Sequence, residues 1–407
     1  MVIELILILL GSLLLLFLLL PFFLVCINFL FHKRRNFAEN KKEDLDFAFI
    51  ITAYKNLNIT KFCVESLYQQ TRTNYHIYLI ADDCEEDDNA EFEQNELLSI
   101  LRPEKKLGSK VRSLKYALDN FKRDHQYICV LDPDNLLAQD FIQEISGYIE
   151  NGYAAVQGRR VAKNTDTLYA KLDTIGESYH NYVQRYLPFS LNSSATIAGS
   201  GMVIKNDLFI SYFENPVIKK SFNKVILGED KVLHNHIVAN GFRIAYAKNA
   251  VVYDEKISSG HQAERQRTRW INTYFQNIKQ AGTLFFVGII NFNWNSFLFG
   301  LISLTPPLFI LFALSLLISV ISIFFVPTLS LVLVAGMLVF VFNFTMVLKL
   351  SNLPNSIIMA IWAIPLFIFR QIKALFNLHK SRNDFLTTNN SKSISLDKIL
   401  NSSKIND

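Results

Sequence analysis

Cysteine is scarce in this sequence and poorly placed for cross-linking. Its 407 residues include four, Cys26, Cys63, Cys84 and Cys129, far apart and with no CxxC pair. That excludes a disulfide framework and a cysteine-based zinc site, and it suits a reducing compartment. Charge is scarce as well: only 19% of residues are charged, and the formal net charge is +5. So small a surplus argues against nucleic acid as a partner, the more so because several basic residues sit beside apolar runs, where anionic lipid attracts them. There is no internal repeat. No cleavable leader is recognisable either, since the start carries no basic residue, the apolar stretch is too long and no small-residue cleavage site follows it.

What the chain has in excess is apolar sequence. Half of it is hydrophobic, with 34 Phe. Residues 4–31 are almost uninterrupted, and about 20 apolar residues suffice to span a bilayer, so residues 1–31 are expected to form an uncleaved anchor. His32 to Arg35 ("HKRR") follow. Basic flanks stay on the cytoplasmic side, which puts the next domain in the cytoplasm, at the plasma (inner) membrane. A second apolar block covers 295–376. It holds two runs of spanning length, the first with a kink expected at Pro306-Pro307, and a shorter piece near 356–369 that is expected to lie in the interface or re-enter. Residues 272–294 mix apolar and polar positions at helical spacing, as an interfacial helix does. Residues 377–407 read as a polar cytosolic tail.

The polar middle, 36–271, is long enough for one core-forming domain. "FAFIITAY" (47–54), "HIYLIADD" (76–83) and "YICVLDPDN" (127–135) read as buried strands, with helical patterns over 58–71 and 110–123 between them. Strand and helix in alternation predict a parallel sheet flanked by helices, and such sheets bind ligands at the carboxyl ends of their strands. Tyr54, Asp82, Asp83, Asp132 and Asp134 all fall at those ends.

These acids have a chemistry and a plain alternative. Asp132 and Asp134, flanking Pro133, could hold a small hard cation, which takes one or two protein carboxylates and completes its shell with phosphate and water. They could equally be a turn whose side chains bond their own backbone. Glu229 and Asp230, after Gly228, could supply a general base or simply complement a helix N-terminus. "QRTRW" (266–270) could be an interfacial belt of Arg and Trp. It could also be a guanidinium clamp on a diphosphate, from Arg269, beside an indole platform for a sugar, from Trp270.

The order of the pieces is more telling than any one of them. "ITAYKN", "LIADD", "LGSK", "LDPDN", "AGSG", "GEDK", "YDEK" and "QRTRW", followed by spans, resemble the membrane-embedded family-2 glycosyltransferases: the synthases of cellulose, chitin, hyaluronan and poly-N-acetylglucosamine, and ceramide glucosyltransferase. The resemblance covers about residues 45–275. It implies an α/β GT-A (Rossmann-like) mixed sheet flanked by helices, with N-terminal and C-terminal transmembrane helices. It implies an inverting, metal-dependent transfer of a sugar from a nucleotide sugar, UDP-linked by family habit, to a polysaccharide or glycan acceptor. Single-sugar transfer to a lipid is the alternative, and an inactive membrane scaffold the remote one. By the same resemblance, Ala53, Tyr54, Asp82, Asp83 and Lys110 hold the nucleotide. Asp132 and Asp134 hold a divalent cation, Mg2+ or Mn2+. Asp132 and Arg269 face the diphosphate. Asp230 is the catalytic base, and Gly199, Ser200, Gly201, Glu229, Gln266 and Trp270 meet the acceptor. Two departures stand out: Pro133 replaces the usual small residue, and "TAYKN" lacks the usual Pro and Glu.

Overall fold

The protein is described by a computed structural model that covers residues 1–31, 44–72, 74–85, 92, 95–222, 228–364 and Leu396. The basic flank at 32–35, the apolar piece beyond 364 and, Leu396 apart, the tail at 377–407 lie outside the described residues.

The chain opens with helix α1 (Val2–Phe31). Strand β1 (Phe47–Tyr54) and helix α2 (Lys61–Tyr68) come next, then β2 (Tyr75–Asp82), β3 (Leu98–Leu101) and α3 (Lys110–Asp119). They are followed by β4 (Tyr127–Leu131), β5 (Leu136–Leu137), α4 (Phe141–Glu150), β6 (Ala155–Ala162) and α5 (Leu168–His180). A π-helical turn (Asn181–Tyr186) leads from α5 into α6 (Leu187–Ser190). The domain ends with β7 (Met202–Lys205), α7 (Asn206–Phe213), α8 (Pro216–Ser221), α9 (Glu229–Ala239) and β8 (Ile244–Asp254). Five further helices complete the described chain: α10 (Gly260–Ile290), α11 (Trp294–Ser303), α12 (Leu308–Phe325), α13 (Pro327–Leu350) and α14 (Asn355–Ile358).

The eight strands form one mixed sheet in the order β3-β2-β1-β4-β7-β6-β8-β5. The first four are parallel, β7 runs antiparallel to both its neighbours, and β8 is parallel to β6. Every residue of β2 is buried, and so are all but two of β1, as expected of strands covered on both faces. Register pairs Tyr54 with Asp82, so the predicted binding residues finish level with one another at the carboxyl edge.

α1, α12 and α13 are each long and apolar enough to cross a membrane. α12 and α13 both pack on α1. The sequence reading placed a kink at Pro306-Pro307. The chain there is broken outright: α11 ends at Ser303 and α12 starts at Leu308, because two successive prolines remove two amide donors and clash with the preceding turn. The reading also separated the domain from an interfacial helix at 271/272. α10 runs unbroken from Gly260 to Ile290, so that position falls inside a helix. Past α14 comes a short 3-10 turn (Met359–Ala363).

Candidate active site

Lys110 is the electrostatic centre. Its position depends on Asp82, which is 2% exposed and accepts N–H donations from Leu107 (2.8 Å) and Gly108 (2.7 Å). The carboxylate at the tip of β2 thus fixes the loop that starts α3. Lys110 Nζ then reaches Asp132 Oδ1 at 2.5 Å, the Gly199 carbonyl at 2.8 Å and Glu229 Oε1 at 4.0 Å. Burial alone would lower this lysine's pKa, but the carboxylates of Asp132 and Glu229 outweigh it and the net shift is upward. Lys110 stays charged at neutral pH.

The loop after β4 closes on itself, Asp132 N–H donating to Asn135 Oδ1 at 3.0 Å. The side chain that bonds the loop's own backbone is thus Asn135's, while Asp134 Oδ2 accepts from Glu255 N–H at 3.3 Å and Asp132 and Asp134 both line the cavity. Asp134 is 6% exposed, and burial followed by the charges of Asp254 and Asp132 pushes its pKa up to about 7. Burial and the charges of Asp254 and Asp132 together disfavour the ionised Asp134 carboxylate, and a divalent cation between it and Asp132 would offset them. No cluster of three or more metal-ligating side chains occurs among the described residues.

Gly228 starts α9 at φ 81°, and a Cβ there would fall 2.1 Å from Thr273 Cγ2 on α10. Only glycine allows both that backbone and that approach. The first turn of α9 consequently presents Glu229 and Asp230 directly against α10, the helix carrying Gln266, Arg269 and Trp270. Burial and the neighbouring Asp230 raise the pKa of Glu229 against the opposing pull of Lys110. The ideal Cβ position of Gly199 lies 3.9 Å from Asp230 Cβ, which closes the circle: tip of β4, loop before β7, start of α9.

A buried ionic layer braces the site. Asp254 meets Arg160 (2.5 Å), Lys256 (2.9 Å) and Asn135 (3.2 Å), while Glu177 meets Arg185 (2.6 Å) and Lys256 (3.6 Å). Arg160 also donates to the Ala198 carbonyl at 2.6 Å. Burial favours the neutral acids, but Arg185, Lys256 and Arg160 hold Glu177 well below its ordinary range, and Arg160 and Lys256 lower the pKa of Asp254.

One cavity of about 1110 Å3 gathers most of the expected residues: Ala53, Tyr54, Asp82, Lys110, Asp132, Asp134, Gly199, Glu229, Asp230, Gln266, Arg269 and Trp270. Three lie outside its lining. Asp83 sits at φ 58° with its carboxylate 3.3 Å from Lys106 Nζ. Ser200 is fully buried, and Gly201 is pressed against Val252. Their contribution is to the turn: Gly201 donates its N–H to Val130 and accepts from Gly158.

Several residues went unread in the sequence. Arg267 stacks over Trp270, 4.2 Å from its ring, and pairs with Asp173 at 3.0 Å. Its place in "QRTRW" was a usable signal. Arg160, Glu177, Arg185 and Lys256 had none, because isolated charges acquire meaning only once the fold pairs them. Apolar residues of α1, α12 and α13 line the same cavity, among them Leu20, Pro21, Phe309, Phe340 and Phe344.

A mixed sheet with acids at its strand tips, and apolar helices on either side in the chain, defines a GT-A protein with candidate membrane spans. A family model described as glycosyltransferase like family 2 matches residues 45–273, more than half of the sequence; the chain belongs to glycosyltransferase family 2. Among solved structures it is similar to the mannosyltransferase PcManGT from Pyrobaculum calidifontis in complex with GDP-Man and Mn2+. The TM-score is 0.56 at 12% identity, covering 92% of this chain and 98% of that one. It is also similar to S. aureus TarS 1–349 in complex with UDP, with a TM-score of 0.37 at 10% identity over 58% of this chain and 65% of that one. No curated protein matches the sequence. At 12% identity the likeness to the mannosyltransferase is one of fold.

Proposed function

We propose that the chain transfers a single sugar, with inversion, from a nucleotide sugar to a hydroxyl on a membrane lipid. The observation that carries this reading is the continuity of the cavity. Its wall passes from Lys110 and Asp132 through Arg269 and Trp270 to Leu20, Phe309, Phe340 and Phe344 on the apolar helices. A water-soluble acceptor has no use for that last stretch, whereas an acyl or prenyl chain gains about 25 cal/mol for each Å2 buried there. The polysaccharide reading asks for a channel, and three candidate spans among the described residues enclose a poor one. An inactive scaffold is disfavoured by the acids held in place around Lys110.

Roles follow from charge. Tyr54, with Lys55 and Lys106 within cation–π range of its ring at 5.5 Å and 5.0 Å, is the proposed nucleotide contact beside Ala53 and Asp82. Asp132 and Asp134 are the proposed holders of a divalent cation, which when bound supplies positive charge to the departing diphosphate. Arg269 and Lys110 add fixed charge to the same leaving group. Asp230 removes the acceptor proton as the oxygen attacks the anomeric carbon from the face opposite the nucleotide. Gln266 and Trp270 position the acceptor. The proposed orientation puts the sheet in the cytoplasm, where nucleotide sugars are available.

Isolated membranes given a panel of radiolabelled nucleotide sugars, UDP- and GDP-linked, test the reading. The expected product is organic-soluble and carries one sugar. A high-mass polysaccharide would replace the lipid reading by the synthase one. Asp230→Asn should keep donor binding and lose transfer by at least about 100-fold; near-normal transfer would mean the base lies elsewhere.

A further inference from the structure

Gln157 is a polar side chain in the middle of the sheet. It is the third residue of β6, fully buried, between Met202 of β7 and Tyr246 of β8, and it stands behind the cavity wall, not on it. A buried amide is costly unless its donors and acceptor are engaged, and here they are. Nε2 donates to the carbonyls of Ser200 (2.9 Å), Gly158 (3.0 Å) and Gly201 (3.3 Å), and Oε1 accepts the Ala198 N–H at 2.9 Å. Carbonyls at one end and an N–H at the other fix which end of the amide is the oxygen.

Most of these contacts fall on residues 197–201, the irregular segment that leads into β7. Outside a ladder, its backbone groups must find partners elsewhere, and side chains hold five successive peptide units. His234 Nδ1 accepts the Ile197 N–H at 3.3 Å, and Gln157 Oε1 accepts that of Ala198. Arg160 donates to the Ala198 carbonyl, Lys110 to that of Gly199 and Gln157 Nε2 to that of Ser200. Gln157 thus grips both neighbours of Gly199. That residue, at φ 84°, has the conformational freedom of glycine, so its peptide stays in place only where its neighbours are pinned. Gly199 also touches both poles of the site: its carbonyl holds Lys110, and its ideal Cβ position is 3.9 Å from Asp230 Cβ.

We infer that Gln157 is a positioning residue: by gripping Ala198 and Ser200 it aims the Gly199 carbonyl at Lys110, and so sets where that ammonium stands against a bound diphosphate. A lysine is a point charge on a flexible stem, so its acceptors decide its place. Asp132, at 2.5 Å, is one of them. It is also a proposed cation holder, which leaves the Gly199 carbonyl as the neutral anchor. The inference rests on the reading that Lys110 meets the diphosphate.

The full-length protein in detergent with Mg2+ is titrated with UDP and GDP and, as a control for fold and base pocket, with uridine and guanosine, following thermal protection. Lys110→Met should weaken the tighter-binding diphosphate at least about tenfold, the loss of one charge-assisted hydrogen bond. Gln157→Met, of similar volume, should weaken the same diphosphate about fivefold or more and leave nucleoside binding at the wild-type level. Gln157→Glu keeps the acceptor for Ala198 and loses the amide donor to Ser200 and Gly201. It should show the same selective loss, and it serves where the Met variant does not fold. Added to Lys110→Met, Gln157→Met should cost the diphosphate nothing further, because the charge it aims is gone. Three results would overturn the inference: wild-type diphosphate affinity in the Gln157 variants, equal loss of nucleoside and diphosphate, or a loss that adds in full to that of Lys110→Met. Wild-type diphosphate affinity in Lys110→Met would remove the assignment of Lys110 itself, and the inference with it.

Discussion

Gly228→Ala gives the most exacting test of how the site is assembled. The residue has φ 81°, and its added Cβ would sit 2.1 Å from Thr273 Cγ2. Left-handed backbone costs a non-glycine residue about 1–2 kcal/mol, and overpacking a filled contact adds about 1–3 kcal/mol. The loss should therefore be about 2–5 kcal/mol, a fall in melting temperature of about 5–15 °C for a domain of this size. The overlap must be relieved by moving the start of α9, with Glu229 and Asp230, away from α10. A shift of about 1 Å in reacting groups can cost roughly 100-fold in rate. Thr273→Ala removes the clashing methyl and hydroxyl and leaves Thr273 Cβ at 3.1 Å. The double variant should recover the packing share of both losses and keep the backbone share. The assays are thermal unfolding in detergent and release of nucleotide from the best donor in the panel. Wild-type values for Gly228→Ala would refute the argument outright. A double variant no better than the single would show that the α9–α10 approach is not what fixes Asp230.

Other substitutions probe different links. Asp134→Ala should weaken donor binding about tenfold or more in Mg2+ or Mn2+ and little in chelator; equal loss in both conditions would remove the cation from that position. Arg267→Met strands Asp173, 5% exposed, without its partner and should cost about 3–5 kcal/mol. Arg267→Met with Asp173→Leu should regain most of the melting temperature, and failure to regain it would make the Trp270 stack the larger contribution. Acid sensitivity should come partly from β2. Burial, then Lys122, His125 and Arg123, lower the pKa of His76 to about 4, while the unfolded chain titrates near 6.5. Between those values the unfolded state holds a proton that the folded state does not. Stability should then fall with pH across that window by up to about 1.4 kcal/mol per unit. His76→Asn should flatten the melting-temperature profile there, and an unchanged slope would exclude this imidazole.

The parts of the fold that were legible in the sequence are those written in continuous runs. β1 is an unbroken apolar strand that ends where its pattern does, at Tyr54, and the apolar helices declare themselves by length. The antiparallel β7 and the pairing of β6 with β8 were illegible, because "MVIK" is four residues long and its partners are 45 or more positions away in the register. The continuity of α10 across 271/272 was illegible for a related reason. Polarity changes there, but backbone hydrogen bonding does not, and a helix can carry charged residues in its first turns and apolar ones in its last. Among the residues that line the cavity, those in acid-rich or Arg-Trp strings could be read. Glu177, Arg185 and Lys256, scattered through amphipathic sequence, acquire a role only when α5, its π-turn and the segment after β8 meet.

That meeting explains why the sheet and the apolar helices share one chain. α5 touches both halves: Asp173 holds Arg267 on α10, while Tyr179 stacks on Phe344 of α13 with ring centroids 4.8 Å apart. α10 in turn carries Arg269 and Trp270 and continues to Ile290 with Phe275, Phe286 and Ile289 exposed, an apolar face suited to a membrane surface. Any tilt of the helical stem therefore moves α5 and α10 together, and with them the charges around Asp230. A soluble family member could place these groups on loops alone. Residues of the stem line the same cavity as Asp230, so under the proposed lipid-acceptor reading, seating a chain against α1, α12 and α13 and aligning a hydroxyl on Asp230 are one packing event.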